Sequence, residues 1–104
     1  MDDPAANPEY YRDASPAQAV GDTATLIKEV EAIGRASKQG IWPVITPRFI
    51  PSCTDEVLRG LGDLAASTGA YVQTHCNEGQ WEHDVVLERF WKKPTRTRFA
   101  ISAW

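Results

Sequence analysis

An α/β fold is predicted for this chain, with about two parallel strands and three helices in the order helix, strand, helix, strand, helix. Three observations predict it. Apolar residues recur at helical spacing in two separate stretches, short β-branched runs follow each of those stretches, and polar segments rich in chemically useful residues begin where the runs stop. Strand, helix, strand in succession implies a right-handed crossover and parallel neighbours.

The first element expected to be regular begins after residues 1–14, whose prolines, aspartates and Tyr10–Tyr11 pair have loop composition with two aromatic anchors. Ser15, Pro16 and Gln18 supply an N-cap, a proline at the first helical position and a capping-box partner. A helix is therefore predicted from about Pro16 to Ala36. Val20, Ala24, Ile27 and Val30, flanked by Leu26 and Ile33, form its inward stripe.

Gly40 ends the connection, and "IWPVITPRFI" (Ile41–Ile50) is a nearly continuous apolar run, as expected of a parallel strand covered on both faces. Pro43 and Pro47 bracket the part able to pair. Thr54 then caps a second helix whose first turn carries Asp55 and Glu56, favourable at the positive end of the helix dipole. Val57, Leu58, Leu61, Leu64 and Ala65 make its buried stripe, and Gly69 breaks it. Tyr71–Thr74 is the second strand. Gln80–Phe90, with Trp81, Val85 and Phe90 as its apolar residues and Trp81 packing inward, is the third helix.

The 104 residues are 42% hydrophobic and 24% charged, which is globular composition with room for one modest core. Eleven basic against fourteen acidic residues give a net charge of −3, with no basic cluster longer than Lys92–Lys93. That excludes the electrostatic footprint of a nucleic-acid binder, and nothing favours an anionic membrane surface. No run approaches a membrane span, and the acidic start is unlike a signal peptide, so a cytoplasmic location is expected. Cys53 and Cys76 match no zinc-ribbon or redox spacing and are expected to stay reduced.

The chemistry gathers in two segments, "TPRF" and "THCNE", both just beyond the carboxyl ends of predicted strands, where α/β folds place active sites. A strand-terminal His75 with Glu78 three residues later can bring a metal ligand and a proton carrier to the rim of a sheet. The competing reading of His75 is a strand-end histidine that hydrogen-bonds locally, of Arg48 a surface residue, and of Phe49 a core residue. His83, between Glu82 and Asp84, reads as a solvated helix residue. Cys76 is not expected to share a metal with His75, because adjacent strand residues face opposite sides.

Taken together, Val44–Glu78, "VITPRFIPSCTDEVLRGLGDLAASTGAYVQTHCNE", resembles the guanine deaminases of the amidohydrolase superfamily. The pairing of I-T-P-R-F with Q-T-H-x-x-E about two dozen residues later carries the likeness, which extends more loosely back to Met1. The resemblance implies a fragment of a (β/α)8 amidohydrolase barrel and hydrolysis of guanine to xanthine and ammonia by a zinc-activated water. It implies His75 as a zinc ligand, Glu78 as the catalytic proton shuttle, and Arg48 and Phe49 as contacts to the purine, with Gln73 and Thr74 in support. Asn77 stands where the family is expected to have serine.

Other parts of the family pattern are missing. The His-x-His pair of the first barrel strand, the later histidine and the last aspartate have no counterpart among only two histidines, His75 and His83. One His and one Glu do not hold zinc tightly, so this chain alone is expected to be inactive. The segment 91–104 stops resembling the family, and truncation or a frameshift after Phe90 is expected, dividing the chain into loop (1–14), family-like αβαβα segment (15–90) and divergent tail (91–104). The alternatives are a related ring deaminase or chlorohydrolase, an inactive product, or a non-enzymatic interaction fragment that self-associates through exposed strand edges.

Overall fold

The computed structural model describes residues 1–91. Its order is α1 (Pro16–Ala36), β1 (Val44–Ile45), α2 (Asp55–Thr68), β2 (Tyr71–Val72) and α3 (Gln80–Val86), the last running on into a π-helical turn, Leu87–Trp91. The tail assigned to residues 91–104 lies, from Lys92 onward, outside the described residues.

The helix boundaries follow from local chemistry. Ser15 Oγ accepts the Gln18 N–H at 3.1 Å and Pro16 occupies the first turn, so α1 begins where an orphan donor is satisfied and a missing one costs nothing. Thr54 Oγ1 accepts the Val57 N–H at 3.3 Å at the start of α2. That helix stops at Gly69, whose φ of 70° is left-handed and whose N–H donates to Ala65 O at 2.9 Å.

Val44 pairs with Tyr71 and Ile45 with Val72, in parallel. The pairing then slips by one residue. The next bridge joins Phe49 to His75, so Thr46, Pro47 and Arg48 stand opposite only Gln73 and Thr74. Such a bulge accommodates Pro47, which has no N–H to give to a ladder. The two strands are neighbours as expected, with shorter regular pairing than the apolar run suggests.

The core joins Ile27 of α1, Ile45 of β1, Cys53, Val57, Leu58 and Leu61 of the α2 region, and Phe90 of the last turn. Gly60 lets α1 close onto α2, since a Cβ there would meet Val20 Cγ2 at 2.6 Å. Three expectations are corrected. From Trp42 to Arg48 burial alternates, with Pro43, Ile45 and Pro47 buried and Trp42, Val44, Thr46 and Arg48 exposed, so among the described residues β1 is covered on one face only. Leu26 and Ile33 are exposed, because the narrow contact with α2 takes Ile27 alone to full burial. Tyr10 and Tyr11 do not anchor the first segment: Tyr10 is 90% exposed.

The anchoring is polar instead. Asp2 is buried and receives the Thr54 N–H at 2.8 Å and the Thr54 hydroxyl at 2.5 Å, while Asn7 Nδ2 donates to Ser52 O at 2.9 Å. Residues 1–7 thus fasten onto the turn Ile50–Ser52 that follows the first candidate motif.

Candidate active site

The core-free face of the strand pair carries Thr46 and Gln73, and Arg48 and His75 follow at the carboxyl ends of the two strands, all four exposed. Gln73 Nε2 donates to Thr46 Oγ1 at 3.1 Å, linking the strands by side chain as well as by the Gln73 N–H to Ile45 O bond of 3.0 Å.

One carbonyl organises the carboxyl end of the strand pair. Arg48 O receives the backbone N–H of His75 at 3.1 Å and the imidazole Nδ1 of the same residue at 2.7 Å. A carbonyl oxygen cannot donate, so Nδ1 carries the proton and Nε2 of the neutral ring keeps its lone pair. A histidine that ligates a metal through one nitrogen is typically oriented in this way through the other. His75 therefore fits a ligand's role by itself.

The set does not fit a zinc site within this chain. Among the described residues no three His, Cys, Asp or Glu side chains are grouped to hold a metal ion, and residues 92–104 contain none of these types. A site with one imidazole lacks the three or four protein ligands zinc usually takes.

Phe49 is half-buried, bridged to His75, and its ring lies 6.4 Å from that of Trp81 at 55°. Trp81 was expected to pack inward; it is 62% exposed and instead covers this phenylalanine from outside. Glu78 is exposed, and it is held through its backbone, whose N–H donates to Glu82 Oε2 at 2.7 Å. Cys76 is exposed and free, Cys53 buried and free. Phe49 and His75 are thus brought together with the backbone carbonyl of Arg48, while Glu78 stands on the adjoining loop.

Residues that sequence reasoning passed over hold these pieces. Glu82, named above only as a neighbour of His83, is 3% exposed. Arg89 donates from Nη1 to Ile50 O at 2.9 Å, from Nη2 to Cys53 O at 2.7 Å and from Nε to Asp55 Oδ1 at 2.9 Å. His83, though exposed, meets Asn77 Oδ1 through Nδ1 at 3.2 Å. The only advance signal is the four-residue spacing of Glu78 and Glu82, which puts one a turn away from the other.

Comparison with known proteins finds relatives over a stretch that spans both motif segments. A probable guanine deaminase of Schizosaccharomyces pombe is 34% identical over 94 residues, which is 90% of this chain and 17% of that protein. Any stretch of that length within 104 residues includes residues 11–94, and so every candidate site residue. This chain is a relative of the guanine deaminases. A guanine deaminase of Dictyostelium discoideum is 33% identical over 80 residues, 77% of this chain and 17% of that protein, and one of Mus musculus is 39% identical over 44 residues, 42% and 10%. The guanine deaminase-related chain thus spans 17% of the length of the first two relatives. No family model and no solved structure matches it. Among its described residues, no helix is long and apolar enough to cross a membrane.

Proposed function

We propose that this chain carries the purine-recognition and proton-transfer part of a guanine deaminase site, as a section of a (β/α)8 barrel, and that the complete enzyme hydrolyses guanine to xanthine and ammonia. One observation carries the reading: the bulge at Pro47 brings Arg48 and His75 onto one carbonyl-centred contact at the carboxyl ends of parallel strands. Active sites of parallel α/β folds lie at that end. In a barrel the helix-free face of the strands is the inner one.

In this reading the Arg48 guanidinium donates to the O6 and N7 acceptors of guanine, a pairing its fork geometry favours. Phe49, backed by Trp81, offers an aromatic surface to the base. Glu78 takes one proton from the attacking water and gives it to the ring nitrogen as the C2–O bond forms, then carries the proton of the new C2 hydroxyl to the amine as the C2–N bond breaks, so that one water and one guanine become xanthine and ammonia. Zinc, which the family likeness suggests as the source of an activated water, would find one ligand in His75. No step assigned to this chain passes through it.

The test is binding. Guanine titrated into the isotopically labelled chain should shift the backbone signals of Arg48 and Phe49, adenine should not, and Arg48→Ala should abolish the response. Equal shifts with adenine, or no response to guanine in the folded chain, would overturn the proposal.

A further inference from the structure

The proposed site contains a second carboxylate that its chemistry does not use. Glu82 lies in the first turn of α3, is 3% exposed, and has its Oε2 on the Glu78 N–H at 2.7 Å. A carboxylate gives up strong hydration when it is buried, so it persists in such a place only with hydrogen-bonding work to do. Ordinary helix capping would not demand burial, because capping carboxylates function well at the surface.

The surroundings say what the work is. Residue 79, at the cap position of α3, is a glycine and has no side-chain oxygen to offer. The loop before it turns through Asn77 at a φ of 53°, a left-handed conformation that needs support from neighbours. Support comes from two consecutive residues of α3: Glu82 takes the Glu78 amide and His83 meets the Asn77 side chain at 3.2 Å. A cavity of about 360 Å3 runs between Pro47, His75, Asn77, Glu82, Val86 and Phe90, so Glu82 adjoins the space that His75 also lines.

We propose that Glu82 is a positioning residue: its buried carboxylate holds the Glu78 amide and thereby fixes the backbone from which the Glu78 side chain projects. The assignment of catalytic purpose rests on the reading of Glu78 as proton carrier; the hydrogen bond and its consequence for the loop do not.

The experiment is amide exchange by NMR on the whole chain, unmutated and carrying Glu82→Met, Glu82→Ala or Glu82→Gln. Methionine and alanine remove the acceptor, so Glu78 amide exchange should accelerate about tenfold or more, with its backbone coupling moving toward the averaged value, while the amides of Val57 and Leu61 keep their protection. Glutamine retains a carbonyl acceptor and should restore slow exchange. A folded methionine or alanine variant with unchanged exchange at Glu78, or a folded glutamine variant that fails to restore it, overturns the proposal. Should the acceptor-free variants not fold, a coupling measured across the hydrogen bond between Glu78 N and Glu82 Cδ in the unmutated chain decides: its presence supports the link and its absence overturns it. The guanine titration reads Arg48 and Phe49, so a failure of purine binding is distinguishable from a failure at Glu82.

Discussion

The imidazole Nδ1 of His75 lies 2.7 Å from the backbone carbonyl of Arg48, and the His75 amide reaches the same oxygen at 3.1 Å. Two donors from one residue on one acceptor lock the ring to the strand end and leave Nε2 as the free nitrogen. Nitrogen-15 spectra should show the neutral ring of His75 protonated at Nδ1. Because the contact is solvent-exposed, His75→Ala should cost about 1 kcal/mol or less in urea unfolding.

Guanine turnover by this chain is expected to be unmeasurable, with or without added zinc. The described residues group no three metal ligands, and a lone imidazole retains a divalent ion weakly. Guanine loss and ammonia release, followed together on the purified chain, measure this. Robust turnover that disappears in Glu78→Gln would contradict the expectation and would mean that association had completed the site.

Arg89 should be among the residues on which stability depends most outside the apolar core. Its guanidinium satisfies the carbonyls of Ile50 and Cys53 and pairs with Asp55, while lying 5.2 Å over the Phe90 ring. Arg89→Met leaves two loop carbonyls without these donors and should cost about 2–3 kcal/mol in urea unfolding. Asp55 is 42% exposed, so Asp55→Asn should cost at most about 1 kcal/mol.

The contrast between Ser15 and Arg89 shows what kind of information the sequence holds. Ser15, Pro16 and Gln18 act within one turn, and so the start of α1 is readable from three letters. The left-handed end of α2 at Gly69 is equally local. The parallel pairing is readable too, because a helix between two β-branched runs leaves few topologies. Arg89 contacts residues 34 to 39 positions away and Asp2 reaches one 52 positions away. Nothing in their neighbours distinguishes them from solvated charges. Glu82 was hidden for a related reason: on a short amphipathic helix, burial depends on which face the rest of the chain covers. The slip at Pro47 was half legible, since a proline inside an apolar run announces a defect in pairing without saying where the partner shifts.

The two thiols should react in sequence. Burial pushes the Cys53 thiol above its ordinary range, partly offset by the Ser52 hydroxyl, whereas Cys76 is exposed. One thiol should be labelled rapidly by a disulfide reagent near neutral pH and the second only on unfolding, with Cys76→Ser removing the fast phase. The raised value has a sign for stability as well. The folded state holds its proton longer than the unfolded state, so this contribution is intact below the unfolded thiol's pKa and is lost as pH rises through the folded one. Cys53→Ala should therefore flatten the alkaline fall in stability, measured by urea unfolding as pH is raised past that of an ordinary thiol.

Two helical glycines should respond to alanine with opposite signs. Both gain the same intrinsic advantage, since alanine restricts the unfolded chain and favours helix by about 1 kcal/mol. At Gly62 a new Cβ meets nothing within 4 Å, so Gly62→Ala should stabilise by roughly that amount. At Gly34 the Cβ would collide with the carbonyl oxygen of Ile41, a backbone atom that cannot rotate away as a side chain could. The chain returning from α1 toward β1 must then move, and its displacement opposes the helix preference. We expect the steric term to win, with Gly34→Ala destabilising by about 1–3 kcal/mol, the range for overpacked sites. Urea midpoints of the two variants measure the difference; a stabilised Gly34→Ala would show that residues 37–43 yield more easily than their close approach to α1 implies.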